Sequence, residues 1–120
     1  MKEKIEQLIK SGQQVNITLG LELAKSQQIT NLDLNGVNLS YKNLKGAYLI
    51  DADLCNANLQ GASFLNANLT GADLTGADLW FAYLDGTEMQ DADLWGAQMA
   101  ECCYFEAKNI DTTNAITDHI

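Results

Sequence analysis

The sequence predicts an all-β solenoid, a chain that coils on itself with short extended sides stacked along one axis. Two registers carry that prediction. Large apolar residues recur every five positions without a break: Leu34, Leu39, Leu44, Leu49, Leu54, Leu59, Phe64, Leu69, Leu74, Leu79, Leu84, Met89, Leu94, Met99 and Tyr104. Two places before each centre stand Leu32, Val37 and Lys42, then alanine at every step from Ala47 to Ala82, then Thr87, Ala92, Ala97, Cys102 and Ala107. A helix does not keep this time, because centres five apart advance about 140° and would smear leucine over every face. In an extended chain, residues two apart point the same way, but a step of five flips the next pair outward. A corner every five residues restores the inward direction.

The glycines mark those corners. Seven of the nine stand two places after a centre (Gly36, Gly46, Gly61, Gly71, Gly76, Gly86 and Gly96), with Asp51, Asn56, Asn66 and Asp91 as substitutes. These residue types tolerate the dihedrals of a tight corner. Corners of one sense close a coil, after four repeats if each turns roughly a right angle. Coils would then stack about 4.8 Å apart, and the absence of proline leaves every backbone donor free to pair between them.

The run LIDADLCNANLQGASFLNANLTGADLTGADLW (49–80) closely resembles the pentapeptide-repeat family, whose signature is A(D/N)LXX. The resemblance extends over about residues 32–107. It implies a right-handed quadrilateral parallel β-helix of about four coils, four repeats to a coil, with leucine or phenylalanine centres and alanine filling a narrow interior. Lys42 at an inward position, and Cys102 and Tyr104 in the last repeats, depart from the pattern. Asn109 takes the next centre, so the regular coil is expected to stop near Ala107.

A solenoid exposes apolar surface and unpaired edges at both ends and needs caps. Residues 1–31 read as a short α-helical cap, 32–109 as the repeat β-helix and 110–120 as a tail. Ile5, Leu8 and Ile9 fit one face of a helix that Gly12 can end. In VNITLGLELAKSQQ the alternation of Val15, Ile17 and Leu19 suits a strand, while LELAKSQQ suits a helix; a second short helix over the first coil is the expectation. A membrane-surface role for the first helix is the lesser alternative. The tail is short and polar, too weak to cap much, which leaves the last coil as a contact surface.

At 120 residues with a net charge of −9, the chain forms one domain whose surface repels nucleic acid, so no direct nucleic-acid binding is expected. The opening MKEKIEQLIK is charged rather than of signal-peptide type, and no apolar run is long enough for a membrane span; a cytoplasmic location is the default. Cys55, Cys102 and Cys103 fit neither a disulfide framework nor paired zinc spacing. His119 is the single histidine, and the glycines follow the repeat rather than a phosphate loop. The expectation is therefore no catalytic residue, no cofactor, no metal and no enzyme.

Two outward features are candidates for contact. Positions twenty apart stack into columns, so Asp33, Asp53, Asp73 and Asp93 form a ladder beside Asp51, Asp91 and Asp111. This acidic edge either attracts a cation or basic partner, or simply belongs to the signature, where the side chain supports the corner backbone. The opposite edge gathers Trp80, Phe81 and Tyr83, with Phe105 and Cys103 nearby one coil on. Exposed aromatic clusters mark interfaces, although a ring lying across a β-helix is also ordinary packing. Trp95 is outward on another side.

The functional expectation is a non-enzymatic scaffold or interaction module, binding an unknown protein partner or itself through the C-terminal coil. The alternative comes from the resemblance: some family members imitate DNA, bind DNA gyrase and confer quinolone resistance. From Leu32 onward thirteen acidic residues face three basic ones, which is compatible. Length argues against it, since duplex DNA carries a charge every ~1.7 Å and about four coils span only ~19 Å. Only an end-to-end dimer would suffice.

Overall fold

The computed structural model describes residues 1–117; His119 lies outside them. The molecule measures 41 × 23 × 20 Å. Two helices, α1 (Lys2–Lys10) and α2 (Gln14–Ser26), precede the coil. Gly12, at φ +76°, separates them. The segment that the sequence left between strand and helix is thus helical, burying Ile17, Leu21 and Ala24 while Val15 and Leu19 face solvent. Glycine inside a helix costs about 1 kcal/mol, yet Gly20 has a reason. A Cβ there would lie 2.9 Å from Ile9 Cγ1 and 3.2 Å from the Ile5 carbonyl, so its absence lets α1 pack this closely.

From Leu32 onward the chain winds with a twenty-residue period. Four columns of parallel bridges begin at Asp33↔Asp53, Asn38↔Asn58, Asn43↔Ser63 and Tyr48↔Asn68, and each continues to later turns. The β-helix has one departure from expectation: among the described residues no extended strand forms, and every bridge is isolated. Corners interrupt each five-residue side before pairing can extend along it. A side is still well tied, as when Asp53 N–H donates to Leu32 O at 2.8 Å below and Leu54 N–H to Asp73 O at 2.8 Å above.

The corners adopt the left-handed conformation. All seven corner glycines have φ between +68° and +71°, and Asp51, Asn56, Asn66 and Asp91 lie between +58° and +61°. Tyr41, Phe81 and Glu101 adopt it as well. Bulky residues are strained there, but bonds to the next turn, such as Tyr41 N–H to Gln60 O at 2.8 Å, hold the corner. Fourteen of the fifteen centres are at most 3% exposed, and Tyr104 is half-buried. Lys42 is half-buried at its inward position. Thr87 is fully buried in an alanine register, its hydroxyl donating to Phe64 O at 2.6 Å.

Side chains of the cap replace a missing turn at the first edge. The Glu6 carboxylate accepts from Asp33 N–H at 2.6 Å. The Gln14 amide pairs both ways with Asn43, donating to its carbonyl and accepting from its N–H at 2.8 Å each. At the far end the last regular bridge is Glu88↔Lys108, close to the expected stop. The tail is tied more firmly than its polarity implied. Ile116 bridges Gln98, eighteen residues away instead of twenty, and its N–H donates to Ala97 O at 2.8 Å.

Candidate functional site

The Asp33–Asp53–Asp73–Asp93 column is continuous, each residue bridged to the next. Every one of these carboxylates also accepts from the N–H two residues on: Asn35 at 3.2 Å, Cys55 at 3.0 Å, Thr75 at 3.0 Å and Trp95 at 2.9 Å. Asn58 and Asn68 make the same bond to Gln60 and Thr70 on other sides. The backbone-supporting role of this position is therefore general to the repeat, and the second carboxylate oxygen is what an acidic residue adds. Of the neighbouring corner residues, Asp51 and Asp91 are exposed and separated by Gly71, where a Cβ would overlap the Asp51 carboxylate. Asp111 sits in the tail.

Cys55 lies half-buried between Asp53 and Asp73, and the three could bring ligand atoms within 4.8 Å of one another. Burial, with hydrogen bonds to Asp73 and Asp53, pushes the Cys55 thiol up to about 12. Burial also pulls Asp73 upward, but hydrogen bonds from Cys55 and Thr75 outweigh it and leave the carboxyl below its ordinary range. A thiol so strongly held in its protonated form is a hydrogen-bond donor to the carboxylates rather than a nucleophile. Cys102 is likewise pushed to about 12, by burial and then by Cys103 and Asp85. All three cysteines are free.

On the opposite edge, Trp80 and Phe81 meet edge-on, centroids 5.8 Å apart at 64°. Trp80 is half-buried, and Phe81 and Tyr83 are about half exposed. Tyr83 bridges Cys103. Phe105 stacks instead on Tyr104, at 5.4 Å and 19°, and stands 90% exposed. The edge is thus two aromatic pairs.

The structure also assembles a site that the sequence did not single out. Between the last turn and the tail lies a cleft of about 370 Å³, lined by Gln90, Asp91, Asp93, Trp95, Asn109 and Asp111 among others. Asp93, the last rung of the ladder, thus meets Asp91, Asp111 and Trp95 at this cleft. The available signal was Trp95 standing two residues after Asp93, on the same outward side. Charge is uneven along the molecule: six of the seven lysines lie at or before Lys45, and twelve of the sixteen acidic residues lie after it. No helix among the described residues is long and apolar enough to cross a membrane.

Comparison with known proteins fits this architecture. The family described as Pentapeptide repeats matches residues 28–64, 43–76 and 67–103, in eight copies. No curated protein sequence matches the chain. Among solved structures, the pentapeptide repeat protein Rfr23 from the cyanobacterium Cyanothece 51142 is 30% identical, with a TM-score of 0.51 over 74% of this chain and 59% of its own. A pentapeptide repeat protein from the Arabidopsis thaliana thylakoid lumen is 34% identical, with a TM-score of 0.40 over 72% of this chain and 63% of its own. QnrB1, a plasmid-mediated fluoroquinolone resistance protein, is 16% identical, with a TM-score of 0.37 over 73% of this chain and 68% of its own. This chain thus spans less than two thirds of the first two relatives. With the five-residue frame, the twenty-residue bridge period and family matches running from residue 28 to residue 103, the chain belongs to the pentapeptide-repeat family.

Proposed function

We propose that this chain is a non-enzymatic, cytoplasmic interaction module, a right-handed quadrilateral β-helix of about four coils that binds a protein partner or a second copy through its C-terminal coil. One observation carries the reading. Of five exposed aromatic residues, four lie late in the coil: Phe81 (47%), Tyr83 (48%), Trp95 (62%) and Phe105 (90%). The other end is covered by α1 and α2. Aromatic rings lend large contact area at small entropic cost, which is why they anchor interfaces. The test is mass by light scattering over a concentration series, with affinity capture of partners, for the wild type and Trp80→Ala/Phe81→Ala. A dimer or partner lost in the double variant supports the reading; one held equally tightly by both proteins overturns the aromatic edge as the interface.

The second reading, an acidic DNA mimic acting on an enzyme such as DNA gyrase, has the continuous aspartate ladder in its favour. It requires inhibition of supercoiling that Asp53→Asn/Asp73→Asn/Asp93→Asn abolishes. Inhibition unchanged by those substitutions would remove charge mimicry from the account.

A further inference from the structure

The face that carries Asp33, Asp53, Asp73 and Asp93 stops short. Its neighbours pair onward, Glu88 with Lys108 and Gln98 with Ile116, but among the described residues no bridge carries Asp93 to a following turn. Leu74 N–H donates to Asp93 O one turn earlier, while Leu94 N–H has no backbone acceptor among the described residues. The chain between these two bridges makes no bridge to the Asp93 side and meets the last turn again where Gly96 N–H donates to Asn114 O at 2.9 Å. Asn109 Nδ2 donates to Glu88 at 2.9 Å, and Asp111 closes a local turn by accepting from Thr113 N–H at 2.9 Å and its hydroxyl at 2.6 Å. The uncovered side is the cleft of about 370 Å³. Ala92, in a register that is otherwise almost wholly buried, is half-buried there.

We propose that this uncovered side is a docking groove for an extended basic segment of a partner protein. The segment supplies the missing side of the turn, accepts from Leu94 N–H, and sets lysine or arginine side chains among Asp91, Asp93 and Asp111 and against the Trp95 ring. Four observations converge on that occupant. An open β-edge takes up an extended chain through main-chain bonds. The residues lining the cleft include three carboxylates and no cation, and the ion pair found among the described residues, Lys2–Glu6, is at the other end. Trp95, 62% exposed, offers a face on which a cation gains further attraction. The acidic excess beyond Lys45 steers a basic segment toward this end. The inference rests on the interaction-module reading and names its partner's chemistry, but does not depend on the Trp80–Phe81 edge.

The test uses the full chain and an end-blocked eight-residue peptide alternating lysine and valine, with its glutamate counterpart, followed by amide NMR. The expected result is saturable shifts confined to residues 91–95 and 109–114, with slowed hydrogen exchange at Leu94. Asp91→Asn/Asp93→Asn/Asp111→Asn should weaken binding on the order of tenfold, the combined size of three exposed charge contacts. Asp33→Asn/Asp53→Asn/Asp78→Asn makes the same charge change elsewhere and should weaken it less than about twofold, because screening shortens its reach. Both triples should fold, since asparagine makes the same backbone bond at Asn58 and Asn68 and takes the same left-handed corner as Asp91 at Asn56 and Asn66. Equal weakening by the two triples reduces the effect to general charge attraction and overturns the groove. So does binding of the glutamate peptide, or shifts centred on Phe81 and Tyr83. Self-association abolished by Trp95→Ala would assign the groove to a second copy and likewise overturn the basic partner. If the peptide fails while a captured partner still depends on Trp80 and Phe81, the groove falls and the module reading stands.

Discussion

Replacing Gly61 with alanine tests how side chains and glycines interlock along one corner. Gly61 has φ +68°, and its missing Cβ would overlap Cδ1 and Cε1 of Tyr41, which lies one turn earlier in the same column. Gly46 has nearly the same φ, +69°, and nothing within 4 Å of the built Cβ. Gly46→Ala therefore measures the conformational cost alone, about 1 kcal/mol. Gly61→Ala adds displacement of the Tyr41 ring. That ring is 71% exposed, so moving it costs little burial. The added cost is that of leaving its rotamer and its contact over glycine, about 1 kcal/mol more. Thermal unfolding followed by circular dichroism should place Gly61→Ala roughly 3–6 °C below Gly46→Ala. Tyr41→Ala/Gly61→Ala should erase the difference once the effect of Tyr41→Ala alone is subtracted. Equal melting of the two single glycine variants, or a penalty that persists without Tyr41, would refute the interlock.

Further outcomes can be checked in the same way. Leu59→Ala, at a fully buried centre, should lose about 3 kcal/mol in chemical denaturation, while Val15→Ala, 79% exposed, should change stability by less than about 0.5 kcal/mol. Thr87→Val should cost about 1 kcal/mol, because Phe64 O loses the hydroxyl but keeps Ala67 N–H at 2.9 Å. Asp73 and Asp111 have carboxyls held below their ordinary range, Asp111 by the Thr113 hydroxyl and N–H. A depressed value means that the stabilisation is complete above the unfolded value of about 3.9 and is lost as pH falls through the folded one. The melting temperature should drop across that acid window, and less so in Asp73→Asn/Asp111→Asn. At pH 8 a thiol reagent should label exposed Cys103 first, with Cys55 and Cys102, both pushed up to about 12, reacting far more slowly by mass spectrometry.

The coil was legible because burial and corner geometry repeat on one clock, so that Leu34 to Met99 and Gly36 to Gly96 confirm each other. The ends follow no clock. Glu6 and Gln14 complete the first edge from 27 and 29 residues away, contacts that local sequence does not announce. Nor does local sequence announce that Gly20 leaves room for Ile9 of the neighbouring helix. Tyr41 and Glu101 occupy left-handed corners because the one adjoining turn holds the backbone there, Tyr41 N–H donating to Gln60 O and Phe81 N–H to Ala100 O, overriding local preference. The ladder was legible as a column, but not its end. That depends on Ile116 pairing with Gln98 two residues early, which follows from how Asn109–Thr113 leaves the coil.

Because every side carries its own bridge and the pairing recurs at twenty residues, the body has a natural unit of change. Inserting a whole period would lengthen the body by one spacing, about 4.8 Å, and leave both ends facing as before. Inserting a single five-residue side would shift the far end by only about 1.2 Å but rotate it a quarter turn relative to the helical cap. Gain and loss of repeats can thus re-aim the C-terminal surface without redesigning it, a dial graduated in steps of five residues.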